Sequence, residues 1–486
     1  MTAVLAGKII VILYLITLLV IGFWSSQKIK SREDYYVAGR RLSPLLMGIA
    51  FFTAVAGVWS YIGAAGIGYG YGIPEWVSFI TWISAVAWVA YLLMPKIASE
   101  ASKFKNTSFA GCMRDMHGGG YALTAITGVV VIGGYIMGFV GSLKGVGVTL
   151  APILGIDANT ALLIGGIVIV LYAVMGGLKA VVWTDVAGLV FMVIAFFGVI
   201  WMIQGQGGIA ELTNRINAFD LKLLAPDSGS PYGSSITRLW ILFPILYIFY
   251  QCLPHQWHYY MSVGLGKRPK SGAALFTLLS VASVCMVPYF IFLAIGGHIM
   301  LPGVLEDADS VMPMLFQTYA PAAVYILFTI GVFTAIITTI DGGLLAVAAC
   351  IDEMLAPLYS KYHQTAGQSV NWGRVVMVVI WAFAMLWAWT NPPAFLVQYL
   401  VIGWYGMTAI FSGPAVFGLW KRGTKWGAFT SMLVGLIVFI VVIITGKVGP
   451  WGIGWLEQPL TAMCFSVPAY YIASAIERKV RPTLAT

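Results

Sequence analysis

Thirteen apolar stretches, most of them about 20 residues or longer, recur along this 486-residue chain, roughly at 9–27, 45–71, 75–98, 120–150, 157–176, 180–204, 237–262, 271–300, 323–358, 372–390, 393–420, 425–446 and 459–477. About 20 helical residues cross the hydrocarbon core of a bilayer. In lipid each backbone N–H and C=O must find its partner inside the protein, which leaves helices as the form such runs can take. The pattern predicts an all-α membrane protein of about 13 transmembrane helices. With 60% hydrophobic and 9% charged residues, most of its surface faces lipid. The first stretch is too long for a signal peptide and no small-residue cleavage pattern follows it, so it is expected to remain in the protein.

The net charge of +9 does not imply a nucleic-acid partner, because the basic residues sit in short loops between apolar runs. Lys and Arg gather on the cytoplasmic side of membrane proteins. With the N-terminus outside, the inner loops collect most of them, including Lys28, Lys30, Arg32, Arg40, Arg41, Lys103, Arg114, Lys179, Lys267, Arg268 and Arg374, and the outer side keeps the acidic Glu306-Asp307-Ala308-Asp309. An odd number of spans then places the C-terminus in the cytoplasm. Cys112, Cys252, Cys285, Cys350 and Cys464 are scattered and odd in number, which fits reduced packing cysteines and neither a disulfide framework nor a metal site. The longest loop, about 205–236, leaves no room for a separate soluble domain.

Two spans are interrupted, the second by Gly57, Gly63, Gly66, Gly68, Gly70 and Gly72 and the seventh by Pro244 and Pro254. Broken helices free backbone carbonyls and helix ends, which a membrane tolerates where they line a cavity and which there hold ions and solutes. Breaks five spans apart suggest an inverted repeat. The organisation expected is one transmembrane domain over 1–486: an extra helix at 9–27, a first repeat at 45–205, a second at 236–421 and two extra helices at 425–477. Asp341, deep in the ninth stretch and following Thr338 and Thr339, adds a carboxylate that hydrocarbon penalises unless an ion, a proton or a partner accompanies it. The glycine run 66–72 lacks the strand-turn-helix setting of a dinucleotide loop, Gly176–Lys179 lacks phosphate-loop spacing, and no nucleophile is paired with a base. An enzyme is not expected.

The chain resembles the sodium:solute symporter family, which includes proline, pantothenate, sialic acid and sodium/glucose transporters. The most specific matching pieces are Gly176-Gly177-Leu178-Lys179-Ala180-Val181-Val182-Trp183-Thr184-Asp185 and Ser412-Gly413-Pro414 with Leu419-Trp420-Lys421-Arg422-Gly423-Thr424-Lys425-Trp426-Gly427-Ala428. Asp34–Arg41, Tyr61-Ile62-Gly63 and Pro254-His255 match more weakly. The resemblance covers nearly the whole chain and implies a five-plus-five inverted repeat of the leucine-transporter type, alternating access and uptake driven by an ion gradient.

By position, the resemblance implies a sodium site of Thr53 and Ala56 at the break of the second span with Ala335, Thr338 and Thr339 on the ninth. Five or six neutral oxygens suit a small hard cation. Taken alone, the two threonines would as readily bond their own i−4 carbonyls. The family's aspartate on the sixth span corresponds to Asp185 and faces a place where some members carry serine and this chain has Asp341. Asp185, Thr338 and Asp341 are therefore expected to bind a second sodium ion or a proton, because two close buried carboxylates cannot both stay ionised without a cation between them. The plainer alternative makes Asp185 a helix cap and gives Asp341 a backbone or hydroxyl partner.

A solute pocket at the midplane would draw on Trp59, Ser60 and Tyr61 of the second span and Tyr247, Tyr250 and Gln251 of the seventh. In proline-type members an aromatic matching Tyr250 touches substrate, and Trp59 departs from the small or polar residue common at its position. Lipid or helix packing is the competing reading for each aromatic. Lys144 is expected to snorkel to the outer interface, attraction of a carboxylate substrate being the alternative, and His255 and His258 to sit at the inner one, an inner-gate role being the alternative, with Tyr259 where proline-type members carry a basic residue. The function expected is a sodium-coupled symporter importing a small organic solute, an amino acid or short carboxylate above others. Proton coupling through Asp185 and Asp341, a transporter-like solute sensor and a passive channel are the alternatives.

Overall fold

The computed structural model describes residues 3–104, 106–232, 236–250, 252–263, 270–359, 366–420, 423–446 and 454–480. Its main helices in chain order are α1 (Ala3–Ser26), α2 (Pro44–Val55), α3 (Trp59–Tyr71), α4 (Ile73–Glu100), α5 (Tyr121–Leu154), α6 (Ala158–Gly205), α7 (Ile236–Tyr250) and α8 (Pro254–Met261). There follow α9 (Lys270–Met300), α10 (Ala322–Tyr359), α11 (Ala366–Thr390), α12 (Leu396–Trp420), α13 (Lys425–Thr445) and α14 (Glu457–Val480). Among the described residues there is no sheet, only a single bridge between Leu42 and Val263.

Ten of these helices are long and apolar enough to cross a membrane, and the α2–α3 pair, bent by 43°, makes an eleventh. The difference from the thirteen expected has two local causes. The fifth and sixth stretches run together as α6, whose 48 residues would extend about 72 Å at 1.5 Å per residue, over twice the hydrocarbon thickness. Gly177 breaks it, with φ +57° and ψ −163°. A side chain is strained there, and a Cβ would lie 2.6 Å from the Tyr35 carbonyl oxygen and 2.8 Å from its ring. The seventh stretch is divided at Leu253, which is extended (φ −72°, ψ 129°), leaving the short helices α7 and α8.

Local chemistry explains where the helices start. Ser43 caps α2 by accepting from the Leu46 amide, with Pro44 in the first helical turn. Asp157 caps α6 through the Thr160 amide at 2.9 Å, and Thr424 caps α13 through Gly427. The α2–α3 break lies at Ala56, whose φ −81° and ψ 45° leave the helical region.

Burial divides the helices into core and shell. The apolar windows of α12 and α10 are 89% and 78% buried by protein, against 28% for α1 and 33% each for α13 and α14. α13 and α14 pack mainly on one another, and α1 lies along α6. Exposed apolar residues on these outer helices, such as Phe23, Ile444 and Ile472, suit a lipid-facing belt. The broken α2–α3 pair meets α10 and α9 inside that shell. Of the five free cysteines, Cys112, Cys252 and Cys350 are buried and Cys285 and Cys464 exposed.

Candidate functional site

The α2–α3 break lies directly against α10. Thr53 Oγ1 donates back to Ala50 O at 3.0 Å, which ties its hydroxyl into α2. From α10, Thr338 Oγ1 donates to Thr53 O at 2.9 Å and lies 3.0 Å from Ala335 O, and Thr339 Oγ1 lies 3.2 Å from Ala335 O. All five residues of the expected sodium set, Thr53, Ala56, Ala335, Thr338 and Thr339, are buried. Gly57 lets the two elements approach, since a Cβ there would collide with Thr339 Oγ1. The structure thus gathers carbonyl and hydroxyl oxygens from both helices in a space closed to solvent.

Asp185 and Asp341 share a second buried cluster and stand near enough to feel each other's charge. Tyr172 donates to Asp341 Oδ2 at 2.5 Å and the Gly342 amide donates to Asp341 Oδ1 at 2.6 Å. Tyr259 donates to Asp185 Oδ2 at 3.4 Å, and its hydroxyl lies against Gly342. Asp185 Oδ1 has no partner among the described residues. Asp185 lies eight residues past the Gly177 break, inside the helix, so it is no N-terminal cap. The structure does not turn Thr338 toward this pair, because its hydroxyl is committed to Thr53 and Ala335.

Beside the oxygen cluster of α2 and α10, a cavity of about 60 Å³ is lined by Trp59 and Ser60 of α3 and Tyr247 and Tyr250 of α7, four of the six residues expected there. Tyr61 is not brought to it: two residues past Trp59 is about 200° round a helix, and its hydroxyl donates to Met192 O at 3.3 Å while its ring packs edge-on to Phe290. Gln251 lies outside the described residues. Sequence reasoning missed Trp82 on α4, Ser280 and Ser283 on α9, and Trp404 and Tyr405 on α12, which also line it, together with Phe52, Phe79 and two valines. Ala56 lines this cavity too, so ion cluster and cavity meet at one helix break.

Behind Trp59 stands a residue that sequence reasoning also missed. Glu75 Oε1 accepts from Trp59 Nε1 at 3.0 Å and from Ser78 Oγ at 2.9 Å, while Tyr247 donates to Ser78 O at 2.6 Å. A lone carboxyl at the head of an apolar stretch is the same kind of signal as Asp341.

Two expectations are corrected. Lys144 does not snorkel: it is 7% exposed, and Nζ donates to Asp307 Oδ1 at 2.8 Å, Asp309 Oδ2 at 2.7 Å and Ala394 O at 2.7 Å. Its three protons are used inside the protein. Burial pushes the Asp309 carboxyl up to about 6, although Lys144 pulls it down. His255 and His258 do not reach solvent either. Both are buried, His255 Nδ1 lying 2.6 Å from the Tyr135 hydroxyl and His258 Nδ1 3.2 Å from Tyr36 O, because the break at Leu253 turns α8 into the core.

Residues 35–435 match the model of the sodium:solute symporter family. The chain belongs to that family. It is 23% identical over 466 residues to the sodium/pantothenate symporter of Haemophilus influenzae, covering 93% of this chain and 92% of that one. To the high-affinity proline transporter of Bacillus subtilis it is 25% identical over 438 residues, with 87% and 89% covered. Its fold matches a Na+-coupled sialic acid symporter solved in a substrate-bound outward-open state, with a TM-score of 0.77, 20% identity and 98% of each chain covered. The bound L-phenylalanine complex of MhsT matches at a TM-score of 0.51, 15% identity, and 90% and 99% coverage. The chain is a multi-pass membrane transporter of a family with sodium-coupled carriers of small solutes.

Proposed function

We propose that this protein is a sodium-coupled symporter that imports a small organic solute by alternating access, with its solute in the aromatic cavity and sodium between the α2–α3 break and α10. The observation that carries this reading is the α2–α3 break itself: Ala56, where the helix ends, lines the cavity, and the Thr53 carbonyl three residues before it accepts from Thr338 on α10. A cation drawing on Thr53 and Ala56 carbonyls and the Thr338 and Thr339 hydroxyls would fix the break, and the break positions Trp59 and Ser60 for the solute. Binding of either partner then favours the other, as reciprocal linkage requires.

The fold of the sialic acid symporter supports a five-plus-five repeat over 45–205 and 236–421. In this reading α6 crosses twice about Gly177 and α7–α8 form one broken crossing, giving thirteen in all. The N-terminus lies outside and the C-terminus in the cytoplasm, with the protein in the bacterial-type inner membrane of its relatives. Each positive charge moved inward gains about 2.3 kcal/mol per 100 mV, roughly a 50-fold gradient. A second coupled cation squares that factor.

The Asp185–Asp341 pair is the place for it. Thr338 faces away and both Asp341 oxygens already accept hydrogen bonds, which leaves little room for a second sodium ion, and two buried carboxylates this close need a proton or a cation between them, so the reading takes the proton. The test is thermal stability of the purified protein in sodium against potassium, at acid and alkaline pH and fixed ionic strength. A ligand at about 100 times its dissociation constant adds roughly 2.7 kcal/mol. Stabilisation by sodium that disappears in Thr339→Ala supports the reading. Equal stability in both salts removes sodium from it.

A further inference from the structure

The cavity wall is unusual in what it offers a solute. It presents the rings of Trp59, Trp82, Trp404, Tyr247, Tyr250 and Tyr405, and among the described residues no charged side chain. The rings brace one another edge to face: Trp59 on Tyr405 with centroids 5.7 Å apart, Trp82 on Tyr247 at 5.1 Å, and Tyr250 on Tyr405 at 5.6 Å. Two of their polar ends are occupied elsewhere, the Trp59 indole N–H by Glu75 and the Tyr247 hydroxyl by Ser78 O. These rings act on a solute mainly through their π systems.

A solute held chiefly by its carboxylate finds no cation here. The two buried cations are Arg40 and Lys144 among the described residues. Arg40 is bound to Glu33, Met261 O and Asn106 O, and Lys144 to Asp307, Asp309 and Ala394 O. Behind Trp59, the buried carboxyl of Glu75 has no cation against it in the described contacts. Donation from Trp59 to Glu75 also makes that indole richer in electrons, which strengthens attraction to a cation at its face.

The kind of cation follows from the scarcity of acceptors. A primary ammonium brings three N–H groups that each need a partner in a dry site. The wall supplies no carboxylate, only the hydroxyls of Tyr250 and Tyr405 and of the serines Ser60, Ser280 and Ser283, of which Ser280 Oγ is fully buried and without a partner among the described residues. An ammonium carrying alkyl groups brings apolar surface and diffuse charge and leaves little unsatisfied. Resting on the symporter reading above, we propose that the cavity takes a small solute with an alkylated ammonium group, the Ser280 hydroxyl being free to meet a polar group elsewhere on it.

The test titrates purified protein, in saturating sodium, with choline, trimethylglycine and the carbon isostere 3,3-dimethyl-1-butanol, following thermal stability. L-Proline, pantothenate and glucose serve as comparison solutes. At least one trimethylammonium compound is expected to bind ten times or more tighter than the isostere. In Trp82→Leu and Tyr405→Leu that ratio falls toward one, while stabilisation by sodium alone persists and shows that the variants are folded. Trp82→Phe keeps part of the preference. Equal binding of the isostere, no binding of either trimethylammonium compound, or a response confined to the comparison solutes overturns the proposal. If sodium alone still stabilises in those cases, the solute class is wrong and the symporter reading stands. Loss of the sodium response from the wild-type protein sinks that reading itself.

Discussion

Gly57 offers a sharp handle on the sodium cluster. A Cβ at this position collides with Thr339 Oγ1 and approaches Ala335 O at 3.3 Å, so Gly57→Ala must displace the hydroxyl or push α3 off α10. Gly→Ala at an unstrained site stabilises a protein by about 0.4–1 kcal/mol through the unfolded chain, whereas overpacking costs about 1–3 kcal/mol. The clash should therefore dominate, and the variant should unfold at lower temperature by about 1–2 kcal/mol. Its larger effect should fall on sodium. A hydrogen-bond-like contact to a charge is worth about 1.5–3 kcal/mol, so losing Thr339 as a ligand weakens sodium about 10- to 150-fold. Thr339→Ala removes the same oxygen and also relieves the clash. If both act through that oxygen, the double variant binds sodium no more weakly than the weaker single variant, a strong departure from additivity. The assay is the sodium concentration giving half-maximal stabilisation for all four proteins. Additive losses, or an unchanged midpoint in Gly57→Ala, would refute the reasoning.

Four further outcomes are expected. Asp341→Asn should flatten the dependence of solute uptake on external pH while leaving sodium-dependent stability largely in place, and Tyr172→Phe should change that dependence in an intermediate way; a pH profile unmoved by both would exclude a proton at the pair. Because the folded Asp309 carboxyl titrates at about 6, above an ordinary carboxylate, the stability it contributes is complete at pH below about 4 and is lost as pH rises through about 6. Unfolding scans across that window should show this component in the wild type and not in Asp309→Asn. Lys144→Met leaves Asp309 buried without its ammonium and should cost about 3–5 kcal/mol, with Lys144→Met/Asp309→Asn recovering most of it in the same scans. Gly177→Ala, forced into a backbone region that side chains avoid and against Tyr35, should lower the melting temperature by the equivalent of about 1–3 kcal/mol.

What could be read from the residues alone follows the range over which each interaction acts. Helix positions are local, since lipid demands long apolar runs, and Asp341 stood out because one carboxylate in such a run has few explanations. Thr338 and Thr339 were recognisable by family resemblance, since their hydroxyls taken alone equally suit i−4 bonding, and in the fold Thr339 does lie near Ala335 O. The Lys144 ammonium could not be placed, because its partners Asp307 and Asp309 lie 163 and 165 residues away and only the packed helices bring them together. Tyr61 was assigned to the cavity from its neighbours Trp59 and Ser60, and helical rotation carries it to the far side. Glu75 carries the same signal as Asp341, weakened because it stands at the very end of its stretch. Trp82, Trp404 and Tyr405 resemble any of the aromatic residues of a membrane protein until the cavity is seen.

The central claim is that sodium is held between the α2–α3 break and the Thr338-Thr339 pair. It is tested most directly by equilibrium binding of radioactive sodium to the purified wild-type protein and to Thr338→Val/Thr339→Ala. The account predicts saturable binding to the wild type, competed by unlabelled sodium and not by potassium, and reduced at least tenfold in affinity in the double variant while that protein remains folded. Sodium bound equally by both proteins, or by neither, would contradict it.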